Sequence, residues 1–222
     1  MPHPHLLLLC LALAAYLVGS IPFGLVVGLA KGIDPRKAGS GNIGATNLGR
    51  LLGGRFFALV FTLDLLKGFF PMLAAAWFVH AHFPRPNAIV YVFWMLVGFG
   101  AIIGHMFSLF IGFKGGKGVA TSIGVVMGLF PYYTYAGFIV TAVWLLFFFT
   151  TRYVSIASIA ASAAFPITYL SLALANGWPV MGAQFPLLVF TLIVGGMIIY
   201  KHRANIARLR AGTESRVGRK NA

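Results

Sequence analysis

The first apolar stretch of the chain, LLLLCLALAAYLVGSIPFGLVVGLA (residues 6–30), contains no charged side chain. An apolar stretch of about 20 residues is long enough to cross the hydrocarbon core of a bilayer as an α-helix. Residues 1–5 contain no Lys or Arg, so the positively charged segment that opens a cleavable signal peptide is missing. We therefore predict that residues 6–30 form an uncleaved membrane-spanning helix.

The composition of the 222 residues extends this prediction to the whole chain. Hydrophobic residues make up 59% and charged residues 9%, whereas about 25% of the residues in a soluble domain are charged. This composition excludes a soluble globular enzyme, a disordered chain and a coiled coil. We predict an all-α polytopic membrane protein, a compact bundle of seven transmembrane helices that forms one domain over residues 1–222. The six further spans are predicted at residues 56–79, 88–111, 119–130, 132–150, 154–175 and 184–200.

The positions of the basic residues support the count of seven spans. The chain has 17 Lys and Arg residues, and 15 of them fall in loops on one side of a seven-span arrangement, including the basic tail at residues 201–222. Because cytoplasmic loops accumulate Lys and Arg, we predict an outside N-terminus and a cytoplasmic C-terminus. Residues 119–130 are short for a span, so six spans is the alternative, but six would move part of this charge to the other side.

The excess of basic residues also predicts the kind of partner. In a soluble protein a net charge of +14 would suggest nucleic acid, but the positive loops of a membrane protein explain it here. We expect no nucleic-acid partner. We expect an anionic substrate and contact with anionic membrane lipids.

A glycine-rich loop, GSGNIGATNLGR (residues 39–50), follows the first predicted span. It contains the pattern G-x-G-x-x-G, but a membrane helix precedes it, so a dinucleotide-binding strand-turn-helix is excluded. Glycine N–H groups bind anions at close range, and the guanidinium of Arg50 binds phosphate through two hydrogen bonds. The loop therefore predicts an anion site, whose further candidates are Ser40, Gly41, Asn42, Thr46 and Asn47.

A second glycine-rich loop occurs in the stretch GHMFSLFIGFKGGKGVAT (residues 104–121). It is not a Walker A sequence, because Gly118 rather than Ser or Thr follows Lys117. Two lysines among glycines at the start of a helix still predict a phosphate site. Its candidate residues are Lys114, Gly115, Gly116, Lys117, Gly118 and Thr121. His105 lies inside the third predicted span, where either a function or a structural hydrogen bond explains an ionisable side chain.

Three pairs of polar residues lie at helical spacing. Ser155 and Ser158 are three residues apart, where either substrate contact or small-residue helix packing explains them. His202 and Asn205 share a face at the end of the last span and can reach a polar site. Asp64 and Lys67 lie within the second predicted span, and there we expect a structural ion pair. The pairs are thus candidates for a polar site and for its support.

The acidic and cysteine residues are too few for several kinds of chemistry. The chain has three acidic residues and one cysteine. It lacks the spacings of a zinc site, the aspartate-rich motif of magnesium-dependent diphosphate enzymes and the H-x4-D motif of many acyltransferases. We expect no metal and no cofactor, and we expect any reaction to start from an activated donor.

The stretches at residues 40–50, 104–121 and 153–158 together resemble the three signature motifs of the acyl-phosphate:glycerol-3-phosphate acyltransferases, the bacterial PlsY type. The sequences around residues 20–24, 64–68 and 200–209 are also similar, so the resemblance covers nearly the whole chain in order. It implies a seven-helix bundle of the bacterial inner membrane with its active site toward the cytoplasm. It also implies acyl transfer from acyl phosphate to the 1-hydroxyl of glycerol 3-phosphate, without a covalent acyl-enzyme, as the first step of phospholipid synthesis.

The resemblance also implies roles for the candidate residues. The side chains that it places at the glycerol phosphate are Arg50, Lys117, His202 and Asn205. Those that orient both ligands are Ser40, Asn42, Thr46, Asn47, Ser155 and Ser158. Phosphate binding is implied for Gly41, Asn47, Lys114, Gly115, Gly116, Gly118 and Thr121, with the backbone at residues 114–118 holding the acyl phosphate. Asp64, Lys67 and His105 have structural or supporting roles.

Two alternatives remain open at this stage. The proton acceptor is the substrate's own phosphate, His202 or His105. The competing class of protein is a transporter of an organic phosphate, although its site usually lies near the bilayer midplane and between internal repeats, which this sequence lacks. We expect a monomer or a weak oligomer.

Overall fold

The computed structural model describes residues 4–217, and all the regular structure in that part of the chain is helical. A short 3-10 turn at Leu109–Ile111 follows the fifth helix. The α-helices are α1 Pro4–Ser20, α2 Phe23–Ala30, α3 Ala45–Leu52, α4 Gly54–His82, α5 Ala88–Met106, α6 Val119–Gly128, α7 Thr134–Thr151, α8 Val154–Ala175, α9 Phe185–Lys201 and α10 Arg203–Arg210.

The first predicted span is broken into α1 and α2 at Pro22. Proline lacks a backbone N–H and interrupts the helical hydrogen-bond ladder, so carbonyl groups before it need other partners. The Nζ of Lys67 in α4 donates a 2.8 Å hydrogen bond to the carbonyl oxygen of Ile21. A buried lysine therefore supplies one of the hydrogen bonds at the break in the first span.

The number of spans is supported only in part. Among residues 4–217, five helices or broken helices are long and apolar enough to cross a membrane, and α9 with α10, bent by 52°, adds a sixth. Helix α6 has ten residues, a length of about 15 Å against a hydrocarbon core of about 30 Å. The all-helical membrane fold is therefore confirmed, while seven spans and the orientation of the termini stay predictions.

Two short helices, α3 and α10, lie in segments that we predicted to be a loop and a tail. Helix α3 lies within the first glycine-rich loop and is amphipathic, because Leu48 is buried while Arg50 is exposed. Helix α10 opens the tail that we predicted to begin at residue 201. Both helices are eight residues long, so they are too short for the apolar pattern of a span to reveal them.

The chain divides into two compact units, one ending at Phe130 and the other beginning at Pro131. In the first unit, α4 packs against α1, α3, α5 and α6, and α1 packs along α5. In the second unit, α8 packs between α7 and α9. An aromatic cluster of Tyr133, Phe165, Tyr169 and Phe190 forms the core of the second unit. The single domain over residues 1–222 stays a prediction.

Glycines allow α4 and α6 to approach closely. A Cβ atom added at Gly68 in α4 would overlap the backbone oxygen of Thr121 in α6, and one added at Gly124 would overlap that of Leu65. Small residues permit such contacts between membrane helices, where packing rather than water release drives association. The position of α6 in the first unit therefore depends on these two glycines.

We predict that Gly124→Ala destabilises the protein by about 1–3 kcal/mol, because the added methyl group has no space against α4. Thermal unfolding in detergent measures this loss as a lower Tm. Gly196→Ala in α9 is the matched control, since a Cβ there meets nothing within 4 Å. A Tm of Gly124→Ala equal to that of the control would contradict this account of the α4–α6 contact.

Candidate active site

Asn47 organises the backbone of the first glycine-rich loop. Its Nδ2 lies 3.1 Å from the carbonyl oxygens of Pro35 and Ala38 and 2.8 Å from that of Asn42. Its Oδ1 accepts a 2.9 Å hydrogen bond from the backbone N–H of Ser40. Since the side chain is buried and bonds loop backbone at both ends, its contacts support the loop; phosphate binding by Asn47 stays a prediction.

The other polar residues of this loop are more accessible. Helix α3 buries Leu48 against Val60 of α4, which leaves Thr46 half-buried and Arg50 exposed, four residues apart on one helix face. Ser40 and Gly41 are exposed, and the Oδ1 of half-buried Asn42 accepts a hydrogen bond from the backbone of Gly44. The loop and α3 together present hydroxyl groups and one guanidinium, a suitable environment for an oxyanion.

The second glycine-rich loop is attached to the end of α5. The N–H of Gly115 donates to the carbonyl oxygen of Met106 at 3.2 Å, and that of Gly116 donates to the carbonyl oxygen of His105 at 3.0 Å. A Cβ at Gly115 would overlap the His105 carbonyl, and one at Gly116 would overlap the His105 imidazole. These two glycines are therefore required by close packing, and their N–H groups hold the loop.

The second loop ends at the N-terminus of α6. Gly118 caps this helix with a φ of 83°, in the left-handed region that favours glycine. Lys114 is exposed and Lys117 is half-buried beside this helix start. The hydroxyl of the buried Thr121 donates a 2.9 Å hydrogen bond to the carbonyl oxygen of Asp64. Two lysines thus precede a helix N-terminus in the chain, an arrangement that suits a phosphate group.

A buried ion pair lies beneath the second loop. The Nζ of Lys67 lies 2.7 Å from the Oδ1 of Asp64, and the exposed fractions of their side chains are 2% and 4%. The Nδ1 of His105 lies 3.5 Å from the same carboxylate oxygen. The ion pair that the sequence predicted is therefore present, and His105 joins it.

The second unit places Ser155 and Asn205 on one carboxylate, that of Glu214. Ser155 Oγ donates a 2.9 Å hydrogen bond to Oε1 of Glu214, and Asn205 Nδ2 donates a 2.6 Å bond to the same atom. Arg208 Nε pairs with Oε2 at 2.7 Å. Residues 203–217 thus fold back onto the start of α8, where the N–H of Val217 bonds the carbonyl of Arg152.

Sequence reasoning missed Glu214 as part of the site. Burial of its carboxyl by itself raises the pKa, but the hydrogen bonds from Asn205, Arg208 and Ser155 outweigh burial, so the pKa lies below its usual value. The sequence did contain one indication of this role: Glu214 is one of three acidic residues in the chain, and it lies in a basic tail. A lone carboxylate surrounded by basic residues indicates a pairing role.

Ser158 and His202 are also buried, but their hydrogen-bond partners lie outside the Glu214 cluster. Ser158 Oγ accepts a 3.2 Å hydrogen bond from Nε1 of Trp144. His202 lies at the bend between α9 and α10, with Nδ1 2.8 Å from the carbonyl oxygen of Ile198. Because a carbonyl only accepts, Nδ1 carries the proton, and Nε2 of the neutral ring is then an acceptor. His202 therefore lies between α9 and α10, while Asn205 lies in α10.

The candidate residues therefore form two groups. The first unit holds both glycine-rich loops and the ion pair, and the second unit holds Ser155, Ser158, His202 and Asn205. Among residues 4–217, no three His, Cys, Asp or Glu side chains are grouped as metal ligands would be. The chemistry available within these residues is that of ammonium, guanidinium, hydroxyl, amide and imidazole groups, together with the paired carboxylates of Asp64 and Glu214.

We predict that Asn47→Asp lowers turnover by at least about tenfold, because a carboxylate would face three carbonyl oxygens that now accept from an amide. The measurement is steady-state turnover of the purified variant with the substrates proposed below. Asn176→Asp is the matched control, since this exposed amide donates to a single carbonyl, that of Leu172. Equal turnover in the two variants would remove Asn47 from the support of the first loop.

We predict that Glu214 makes the stability of the protein depend on pH. Because its folded pKa lies below the ordinary 4.5, its stabilising contribution is present above that value and is lost as the pH falls through the folded pKa. Glu214→Gln should lower the Tm at neutral pH by about 2–4 °C and flatten the acid part of the Tm–pH curve.

The control for Glu214→Gln is Asp34→Asn, at a carboxylate that pairs with Arg36 on the surface. Hydrogen bonds from Arg36 lower the pKa of Asp34 to about 2, but an exposed pair contributes little to stability. A Tm change in Asp34→Asn as large as that in Glu214→Gln would contradict the special role of the Glu214 cluster.

Comparisons with known proteins cover nearly the whole chain. A protein-family model described as glycerol-3-phosphate acyltransferase matches residues 9–212. A glycerol-3-phosphate acyltransferase of Aquifex aeolicus is 44% identical over 94% of this chain and 98% of its own length. The corresponding protein of Geobacter sulfurreducens is 42% identical over 94% of this chain and 96% of its own length.

Two solved structures share the fold. They are crystal structures of PlsY, an integral membrane glycerol 3-phosphate acyltransferase, in a glycerol 3-phosphate form and a lysophosphatidic acid form. The first is 43% identical and superimposes with a TM-score of 0.79 over 95% of this chain and 96% of the other; the second has a TM-score of 0.77. With the family model and the relatives matching from end to end, the chain belongs to the glycerol-3-phosphate acyltransferase family.

Proposed function

We propose that this protein transfers a fatty acyl group from acyl phosphate to the 1-hydroxyl of glycerol 3-phosphate. The products are 1-acyl-glycerol 3-phosphate, which is lysophosphatidic acid, and inorganic phosphate. The observation that carries the proposal is the family match across residues 9–212, which includes both glycine-rich loops and the Ser155 and His202 segments. Membership of an acyltransferase family also excludes the alternative of a phosphate transporter.

The reaction that we propose is a direct transfer. The hydroxyl oxygen of glycerol 3-phosphate attacks the carbonyl carbon of acyl phosphate, so that a new ester bond forms. The bond between that carbon and the phosphate oxygen breaks, and phosphate leaves with the electron pair. Acyl phosphate is a mixed anhydride with a good leaving group, so the protein needs to align the reactants and to stabilise charge rather than to form an acyl-enzyme.

In the first unit, we assign the acyl phosphate to the second glycine-rich loop. Lys114 provides positive charge before the N-terminus of α6, and both features favour an oxyanion. The side chain of Lys117 is assigned to the phosphate of glycerol 3-phosphate. Gly115 and Gly116 serve mainly to bring the loop against α5, because their N–H groups already bond its carbonyls. Arg50 on α3 supplies a guanidinium for the phosphate of glycerol 3-phosphate.

In the second unit, we assign glycerol 3-phosphate to His202 and Asn205, with Ser155 and Ser158 orienting the ligands. The contact of Ser155 and Asn205 with Glu214 supports this assignment, since a shared carboxylate fixes the positions of both side chains. Glu214 then acts through its neighbours as a positioning residue. Its negative charge is paired with Arg208, which reduces its repulsion of an anionic substrate.

The proton of the hydroxyl group goes to the phosphate of the substrate or to His202. The pairing of Nδ1 with a carbonyl favours the tautomer in which Nε2 is basic, which supports His202 as an acceptor. The phosphate dianion of the substrate is equally suited by charge. The buried His105 is a support of the second loop in this proposal.

We also propose that the enzyme spans the bacterial inner membrane seven times, with its active site toward the cytoplasm. The asymmetric distribution of Lys and Arg supports this orientation. Helix α6 then crosses only part of the bilayer, and the hydroxyl of Thr121 near its start is satisfied by the carbonyl of Asp64. The substrates and anionic lipids are the expected partners, and a monomer or a weak oligomer is the expected state.

The first experiment is a product assay on purified protein in detergent. Acyl phosphate and glycerol 3-phosphate are supplied without added metal, and inorganic phosphate and lysophosphatidic acid are measured; acyl-CoA replaces acyl phosphate in a parallel reaction. We expect equal amounts of both products from acyl phosphate and none from acyl-CoA. Product from acyl-CoA alone would overturn the donor, and no product from either donor would overturn the function.

We predict that His202→Gln raises the KM for glycerol 3-phosphate at least about tenfold, because a phosphate contact is lost. The effect on kcat then identifies the proton acceptor. A kcat within a few-fold of wild type excludes His202 as the base, and a loss of more than about 100-fold identifies it. His80→Gln is the control, at a helical histidine whose Nδ1 also faces a carbonyl, that of Ala76.

A further inference from the structure

Lys67 and Asp64 form a charged pair inside the apolar helices of the first unit, where removing charges from water is costly. Lys67 does more than neutralise Asp64. Its Nζ bonds the carbonyl of Ile21 at the break between α1 and α2 and lies 5.5 Å from the ring centroid of Phe23. The ammonium group therefore joins α4 to the first span.

Asp64 connects the ion pair to two further helices, α5 and α6. Its carboxylate lies 3.5 Å from Nδ1 of His105 at the end of α5. Its backbone carbonyl oxygen accepts a hydrogen bond from the hydroxyl of Thr121 at the start of α6. One residue of α4 thus contacts the two helices that flank the second glycine-rich loop.

His105 connects the pair to the loop itself. Its carbonyl oxygen accepts the N–H of Gly116, and its imidazole lies so close that a Cβ at Gly116 would overlap Nε2. The neighbouring carbonyl of Met106 accepts the N–H of Gly115. The loop therefore rests on the backbone and the ring of the residue that faces Asp64.

We propose that Asp64, Lys67 and His105 form a buried ionic network that sets the position of residues 115–118, the loop to which the proposed function assigns a substrate phosphate. The three side chains are 3–5% exposed as residues, so their effect on the substrate is exerted through the loop. They are positioning residues. His105 is accordingly not the proton acceptor.

The network predicts a characteristic kinetic defect. Removal of one charge leaves its partner buried and uncompensated, and the local structure relaxes to solvate or neutralise it. The loop then loses its fixed position, which weakens the binding of the phosphorylated substrate in the ground state and the transition state alike. Such a loss raises KM with little change in kcat, whereas loss of a general base lowers kcat.

The experiment compares Asp64→Asn, Lys67→Met and His105→Ala with wild type in the product assay, with both substrates varied. We expect the KM for acyl phosphate to rise at least about tenfold and kcat to fall less than about threefold. Asp64→Asn/Lys67→Met removes both charges, so it should be less impaired than either single variant. It also provides a folded test if the single variants fail to fold. Unchanged KM, or a collapse of kcat alone, would overturn the proposal.

Two conservative variants separate the contacts of His105. Asn places its amide near the position of Nδ1 and can still face Asp64, whereas Gln reaches toward the position of Nε2 beneath Gly116. We expect His105→Asn and His105→Gln each to restore part of the KM lost in His105→Ala. Restoration by neither variant would show that the network does not act through these two contacts.

Hydrogen exchange provides a test that does not depend on activity. The N–H groups of Gly115 and Gly116 are bonded to α5, so amide exchange in a peptide covering residues 111–119 should accelerate in the network variants. Tyr169→Phe is the matched control, since it removes a buried hydrogen bond to Gln184 in the second unit. Exchange equal to that of the control would overturn the proposal.

The two proposals fail in different ways. A wild-type protein that makes no product would contradict the proposed function, while exchange at residues 111–119 would still report on the network. An active wild type with variants that match it in KM and in exchange would contradict the network alone.

Discussion

The structure depends on one constraint, that backbone polar groups away from water need hydrogen-bond partners within the protein. Regular helices satisfy them automatically, but the chain must break its helices wherever it builds a polar site. At these breaks, side chains bond the backbone: Lys67 bonds the carbonyl of Ile21, and Asn47 bonds three carbonyls of the first loop. The candidate active-site loops lie beside such bonds, so polar residues of this protein serve structure and chemistry together.

Each of the three acidic residues is paired with a basic residue. Asp34 pairs with Arg36, Asp64 with Lys67, and Glu214 with Arg208. Because all three carboxylates are paired with cations, none of them is an unpaired general base. This agrees with the activated donor that we propose. The remaining basic residues give the protein a positive charge that suits the two phosphorylated substrates that we propose.

Much of the candidate site could be predicted from the sequence because its residues are concentrated in a few short stretches. Glycine among lysines at residues 114–118 indicates a phosphate loop, and the charged pair at Asp64 and Lys67 indicates mutual neutralisation in an apolar helix. The sequence does not reveal why Gly115 and Gly116 are needed. That reason is contact with His105 and Met106, which requires the packing of the loop on α5. The role of Glu214 was hidden for the same reason, since its partner Ser155 is 59 residues away.

The sequence by itself determined the membrane class, the helical architecture and the positions of the long helices, because these follow from local hydropathy and from the length of a bilayer-spanning helix. It also determined the family, through motifs that are continuous in the chain. Only the tertiary structure decided the short helices α3 and α10, the bend at His202, the backbone partners of Asn47, the contacts of Asp64 with His105 and Thr121, and the bond of Glu214 to Ser155. The contacts of Asp64 and Glu214 join residues that are far apart in the chain, so no local pattern of apolar and polar residues encodes them.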